Sequence, residues 1–156
     1  MQTATHTKED ISLYKTNLKE KILLVDDNEI IRIYFRDVFW IHGLEDKYDL
    51  TICKNIEEAE KVVENKDTMP DIVFSGLVMP MKDKDKIVVS AEAGFHLLKK
   101  IKSSPKLKHI KVVIFSGYGE KKYRDRATEL GVDSFLVKHE NMPRELVEFI
   151  EHINLK

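Results

Sequence analysis

A single cysteine, Cys53, excludes any internal disulfide, so the chain relies on its core for stability and suits a reducing compartment. Long apolar runs are also missing. Nothing approaches the ~20 residues of a membrane-spanning helix. The opening Met1-Gln2-Thr3-Ala4-Thr5-His6-Thr7-Lys8 lacks the apolar core of a secretory signal. An excess of one charge is absent too: 26 Lys plus Arg stand against 27 Asp plus Glu, a net charge of −1. No global field therefore draws the chain to nucleic acid or to an anionic membrane. The six histidines show no metal-ligand spacing. There is no Cys/His pair, Gly-rich phosphate loop or nucleophile elbow, and none of the usual enzyme signatures remains. These absences describe a cytoplasmic, non-enzymatic protein with neither nucleic-acid nor membrane partners.

What is present is a run of short apolar segments alternating with helix-period ones. The 156 residues make one ordinary domain, long enough to bury roughly 68–70% of its unfolded surface. Residues 1–20 are polar and weakly patterned, and read as an arm or a loosely docked helix around Ile11-Ser12-Leu13-Tyr14. From 21 to 156 the alternation predicts strands over 21–25, 48–53, 70–75, 110–115 and 133–137, with helices between them. Four of these strands are continuous Val/Ile/Leu/Phe runs, as strands buried on both faces are. The segment 48–53 alternates and reads as an edge. Apolar stripes at helical spacing pass through Ile31, Phe35, Val38 and Phe39; through Ile56, Ala59 and Val63; and through Leu97, Leu98 and Ile101. Tyr123, Ala127 and Leu130 make a fourth stripe, and Leu146, Ile150 and Ile153 a fifth. Trp40 beside Phe39 reads as added apolar surface that burial accounts for.

The chemistry collects at strand ends. Asp26 and Asp27 follow Ile22-Leu23-Leu24-Val25, Gly76 follows Ile72-Val73-Phe74-Ser75, Ser116 follows Val112-Val113-Ile114-Phe115, and Lys138 follows Ser134-Phe135-Leu136-Val137. In open parallel sheets, ligands bind outside the carboxyl ends of the strands, where the strand order reverses. Adjacent acids there can hold a hard cation such as Mg²⁺. A serine hydroxyl and a lysine ammonium can meet a phosphoryl group, whose transfer depends mainly on position and charge neutralisation. The acids could also simply cap the following helix.

The stretch Lys21-Ile22-Leu23-Leu24-Val25-Asp26-Asp27-Asn28 is followed in order by Pro70-Asp71-Ile72-Val73-Phe74, Met79-Pro80 and Ile114-Phe115-Ser116-Gly117. Gly131-Val132-Asp133-Ser134-Phe135-Leu136-Val137-Lys138 completes the set. Over residues 20–153 the chain resembles the receiver domain of bacterial response regulators. The resemblance implies a doubly wound, flavodoxin-like sheet of five parallel strands with helices on both faces. It also implies a place in two-component phosphorelay signalling, with a histidine kinase or a downstream signalling protein as partner. Asp26, Asp27 and the Val78 carbonyl would hold Mg²⁺. Ser116 and Lys138 would form the phosphate pocket, and Ser116 with Phe135 the switch.

The family's phosphorylated aspartate lies four residues before the Met-Pro proline, which here is Gly76. Glycine has no nucleophile and no ligand oxygen, so phosphotransfer is expected to fail and Mg²⁺ to bind weakly. Asp71 cannot substitute, because it begins its strand roughly 16 Å away at ~3.3 Å per residue. The family's proline after the lysine is His139 here. A cis bond without proline costs about 3–4 kcal/mol, so Lys138–His139 is expected to be trans. About ten extra residues, 81–93, precede Gly94 and include Lys82-Asp83-Lys84-Asp85-Lys86. They read as a solvated loop beside the crevice mouth, or as a source of a replacement carboxylate from Asp83 or Asp85.

The leading expectation is a stand-alone pseudo-receiver that works by protein contact. Its partner face would be 120–153, with Lys121, Lys122, Arg124 and Arg126 beside Phe135, Glu145 and Glu148. The alternatives are a phosphorelay receiver using another acceptor, one inactivated by substitution, and a flavodoxin-like binder of a small ligand over Gly76, Gly117 and Gly119.

Overall fold

The computed structural model describes residues 18–140 and 143–153. The proposed arm around Ile11–Tyr14 lies outside the described residues. Seven strands and five helices are present in that range, numbered here in chain order. β1 (Glu20–Val25), β2 (Tyr48–Cys53), β3 (Ile72–Ser75), β6 (Lys111–Ser116) and β7 (Ser134–Val137) form one sheet in the order β2-β1-β3-β6-β7. Every pairing in it is parallel, with Val25 beside both Cys53 and Ser75, and Ser116 beside Val137. The expected five-stranded flavodoxin-like sheet is therefore observed, with β2 at an edge as its alternation suggested.

The apolar runs explain the two cores. Because side chains alternate across a strand, Ile22, Leu24, Ile72, Phe74, Val113 and Phe115 face one side of the sheet. There they meet Phe35, Val38 and Phe39 of α1 (Glu29–Ile41) and Leu146, Ile150 and Ile153 of α5 (Pro143–Ile153). Leu23, Val25, Val73, Val112 and Ile114 face the other side. That side is covered by α2 (Ile56–Glu64), α3 (Glu92–Lys102) and α4 (Lys121–Glu129). Lys100 ties α3 to α2 by bonding Glu60 at 2.6 Å and also Glu64, and these two hydrogen bonds raise its pKa.

Asn28 caps α1 by accepting from Ile30 N at 2.9 Å, and Asn55 caps α2 by accepting from Glu58 N at 2.8 Å. The capping reading of Asp26 and Asp27 thus passes to the next residue. At the opposite, amino end of the sheet, Asp71 Oδ2 accepts from Lys21 N at 2.8 Å and Asp133 Oδ2 from Val112 N at 2.7 Å. Asp71 is a strand-end staple remote from the crevice, as its place in the chain required.

Two expectations are corrected. Trp40 is 68% exposed, because α1 turns Phe39 toward the sheet and carries its neighbour round to solvent. The insertion is an antiparallel hairpin, β4 (Met79–Asp83) with β5 (Lys86–Ser90), and not a solvated loop. Val88 and Val89 supply the strand-forming residues that the charged run at 82–86 obscured. Its tight turn sets Lys84 at φ 58°, the left-handed region.

Candidate functional site

The chain runs from β1 outward to β2 and then crosses back to β3, so the strand order reverses between the carboxyl ends of β1 and β3. Asp26 leaves the first of these ends and Gly76 the second. Gly76 N donates to Val25 O at 2.9 Å, which fixes the two segments side by side. A Cβ built on Gly76 would lie 3.2 Å from Asp26 Oδ2 and 3.1 Å from Met79 Sδ. Gly76 is not in the left-handed region, so its backbone does not demand glycine. A larger residue there needs a few tenths of an ångström from both the Met79 side chain and the Asp26 carboxylate, which are buried.

Asp26 is 1% exposed. Its Oδ1 accepts from Asn28 N at 2.9 Å, and its carbonyl accepts from Arg32 Nη1 at 2.9 Å. Lys138 Nζ reaches Asp26 Oδ2 at 2.7 Å from across the crevice. Among the described residues that ammonium is the one polar partner of the buried Oδ2. Asp27, one residue on, is exposed, and the two acids therefore differ in role. Lys138 begins a short 3₁₀ turn, Lys138–Glu140, and its ammonium stands 6.0 Å over the Phe115 ring. No peptide bond among the described residues is cis, in line with a trans Lys138–His139. The lysine still reaches the crevice.

Ser116 is buried at the end of β6, where its Oγ accepts from Tyr118 N at 3.0 Å. Phe135 on β7 is half-buried, with the Arg124 guanidinium 5.0 Å above its ring. The other basic groups of α4 are similarly engaged: Arg126 lies over Phe95 at 5.7 Å, Lys122 over Tyr123 at 5.0 Å, and Lys121 pairs with Asp125 at 2.7 Å. The crevice thus gathers Asp26, Gly76, Ser116 and Lys138 at adjacent strand ends. Arg32 and Met79 belong to it as well. Neither was named as a site residue from the sequence, although Arg32 lies one turn into α1 and Met79 opens the Met79-Pro80 motif.

For a divalent cation the donor set is thin. Among the described residues no three His, Cys, Asp or Glu side chains converge. The buried Asp26 oxygen already faces an ammonium, and Gly76 adds no carboxylate. With the exposed Asp27 this fits a weak Mg²⁺ site, since Mg²⁺ can be held by one or two carboxylates and water. Asp83 and Asp85 do not repair it. The hairpin leans over the start of α2, where Lys82 N donates to Glu57 Oε1 at 3.2 Å. Asn55, Glu57, Pro80, Met81, Lys82 and Ile87 enclose a shallow hollow there, and both acids sit exposed near the tip.

The chain is similar to several known proteins. A 26% identity over 137 residues links the chain to the gliding motility regulatory protein of Myxococcus xanthus, covering 85% of this chain and 15% of that protein's length. The chemotaxis protein CheY of Halobacterium salinarum is 26% identical over 125 residues, 78% of this chain and 86% of its own. The crystal structure of the Mn(2+)-bound form of response regulator Rcp1 superposes with a TM-score of 0.67 at 24% identity, covering 88% of this chain and 95% of that one. Among the described residues no helix is long and apolar enough to cross a membrane. The family model of the response regulator receiver domain matches residues 22–151, and the chain belongs to that family of two-component signalling domains.

Proposed function

We propose that this chain is a pseudo-receiver that signals by protein contact, in the cytoplasm, without accepting a phosphoryl group at the crevice. The observation that carries the reading is Gly76. It lies at the end of β3 with its missing Cβ 3.2 Å from Asp26 Oδ2, where a receiver would present its acceptor aspartate. The surrounding groups keep their places, and Lys138 closes on Asp26. Its ammonium neutralises the buried carboxylate, and Ser116 stays folded back on the Tyr118 amide. Mg²⁺, held weakly by Asp26, Asp27 and the Val78 carbonyl, would supply charge neutralisation beside the crevice. Nothing in this reading asks the chain for catalysis.

The partner is a protein of the same signalling system, a histidine kinase or a downstream target. The surface of α4, β7 and α5 supports this, because Arg124 over Phe135 and the exposed Lys121 and Lys122 place positive charge beside an aromatic. Such a surface suits an acidic partner and steers its approach. Charge reversal at Lys121 and Lys122 is expected to reduce capture of that partner at unchanged melting temperature.

The deciding experiment is incubation with a small-molecule phosphodonor and Mg²⁺, read by intact mass. The wild-type chain is expected to gain no phosphoryl group and Gly76→Asp to gain one. A labelled wild-type chain would overturn the reading in favour of another acceptor. An unlabelled Gly76→Asp chain would show that the remaining pocket is itself incompetent.

A further inference from the structure

The hairpin is covered on one flank only. β4 lies against α3, and Met81 packs onto the core beneath it. β5 forms the outer flank, and β4 is its one strand partner among the described residues. Ile87, Val88 and Val89 on β5 are 70%, 43% and 64% exposed. Natural sheet edges are usually blunted by proline, a bulge or an inward charge, because a row of unpaired N–H and C=O groups recruits another strand. The middle of β5 carries none of these. Its apolar residues are also the wrong composition for a solvated edge.

The charges decide what fits. Suppose two β5 strands pair antiparallel about a two-fold axis at Val88. Val88 then meets Val88, Ile87 meets Val89, and Lys86 meets Ser90. Continuing past the strand, Lys84 of one turn comes opposite Glu92 at the start of the other copy's α3. Apolar residues meet apolar ones, each lysine meets a hydroxyl or a carboxylate, and no like charges oppose. In-register parallel pairing would instead set Lys86 against Lys86. The antiparallel contact is isologous and closes at two copies.

We propose that β5 is a self-complementary edge through which two copies of this chain join into a four-stranded β4-β5-β5-β4 sheet. The strand pair is short, below the ~1,200 Å² typical of stable interfaces, so association is weak and concentration-dependent. This assembly needs no phosphoryl group and stands independently of the crevice.

Single cysteines in the full chain test it. The native Cys53 is buried and its thiol is pushed up to about 11, so it stays silent in mild oxidation. Val88→Cys places two thiols face to face at the dyad, Ile87→Cys places them two residues apart along the paired strands, and Thr51→Cys on the β2 edge reports random collision. Val88→Cys is expected to form disulfide-linked dimers at least tenfold faster than Thr51→Cys, with Ile87→Cys between. Sedimentation of the wild-type chain should show the average mass rising above 18.2 kDa with concentration. Val88→Lys, with unchanged circular dichroism, should abolish that rise. Cross-linking of Val88→Cys no faster than Thr51→Cys overturns the proposal, whatever the wild-type mass does, and leaves the edge to a different protein.

Discussion

The crevice and the hairpin both leave β3 within a few residues of Gly76, yet they tolerate change very differently. In the crevice, backbone meets backbone: a Cβ on Gly94 would stand 2.6 Å from the Gly76 carbonyl oxygen and 2.8 Å from Leu77 Cα. Gly94 N also donates to Leu77 O at 3.0 Å, so helix α3 is pinned to the crevice loop. In the hairpin, only β4 is held, and β5 and its turn stand in solvent. The crevice geometry is overdetermined, so a change of side chain at Gly76 is expected to leave its neighbours in register. The hairpin is constrained on one flank, so length and composition can change there without disturbing the sheet.

The largest test of that contrast is Gly94→Ala. Its new methyl meets main chain that cannot give way, and a loss of about 3 kcal/mol is expected in denaturant unfolding. Gly117→Ala, whose Cβ would meet nothing within 4 Å, should change little. Equal losses at the two positions would remove the claim that the crevice is tight at α3.

Lys138→Met comes next. Removing one partner of a fully buried pair costs about 3–5 kcal/mol. The lysine side chain is 22% exposed, so water recovers part of this and about 2 kcal/mol is expected. Adding Asp26→Asn should restore most of the loss, because no charge is then left buried. If the double variant is no more stable than Lys138→Met, the pair is not what holds β7 to β1.

Lys84→Gly works in the other direction, on the hairpin. Lys84 holds φ 58°, a conformation that disfavours side chains and suits glycine. A gain of about 1 kcal/mol is expected in the hairpin, read as slower amide exchange over 79–90. No change would mean that the turn is not strained by its lysine.

Least visible at neutral pH is a dependence on the packed side, which shows only above pH 9.0. Burial, helped by Glu58, raises the Cys53 thiol from its ordinary 9.0 to about 11. Between those values the unfolded chain loses the thiol proton while the folded chain keeps it, so stability falls as pH rises through the window. Below pH 9.0 the thiol is neutral in both states and contributes no slope. Cys53→Ala should flatten the decline, and an unaltered profile would assign it to other groups.

Much of this was legible in the chain because parallel strands buried on both faces must be apolar along their whole length. Ile22–Val25, Ile72–Phe74 and Val112–Phe115 announced their elements, and the helical stripes through Phe35, Ala59, Leu98 and Ile150 announced the coverings. The site was legible in part for a related reason. Residues at carboxyl ends of neighbouring strands must share one edge of the sheet, so Asp26, Gly76, Ser116 and Lys138 could be grouped from spacing alone. Trp40 was misplaced because periodicity defines a stripe but not its border, and one residue turns a helical side chain by 100°. The hairpin was hidden because a charged turn between Met81 and Ile87 looks the same as a solvated loop until its two arms pair.

The sequence by itself determined the sheet, its two cores and the residue types brought to the crevice, because these follow from periodic burial and chain order. Only the tertiary structure decided that Lys138 turns onto Asp26, that at the crevice main chain crowds Gly94 rather than Gly76, and that β5 faces outward. Each of those depends on distances between segments far apart in the chain, which no local pattern of residues encodes.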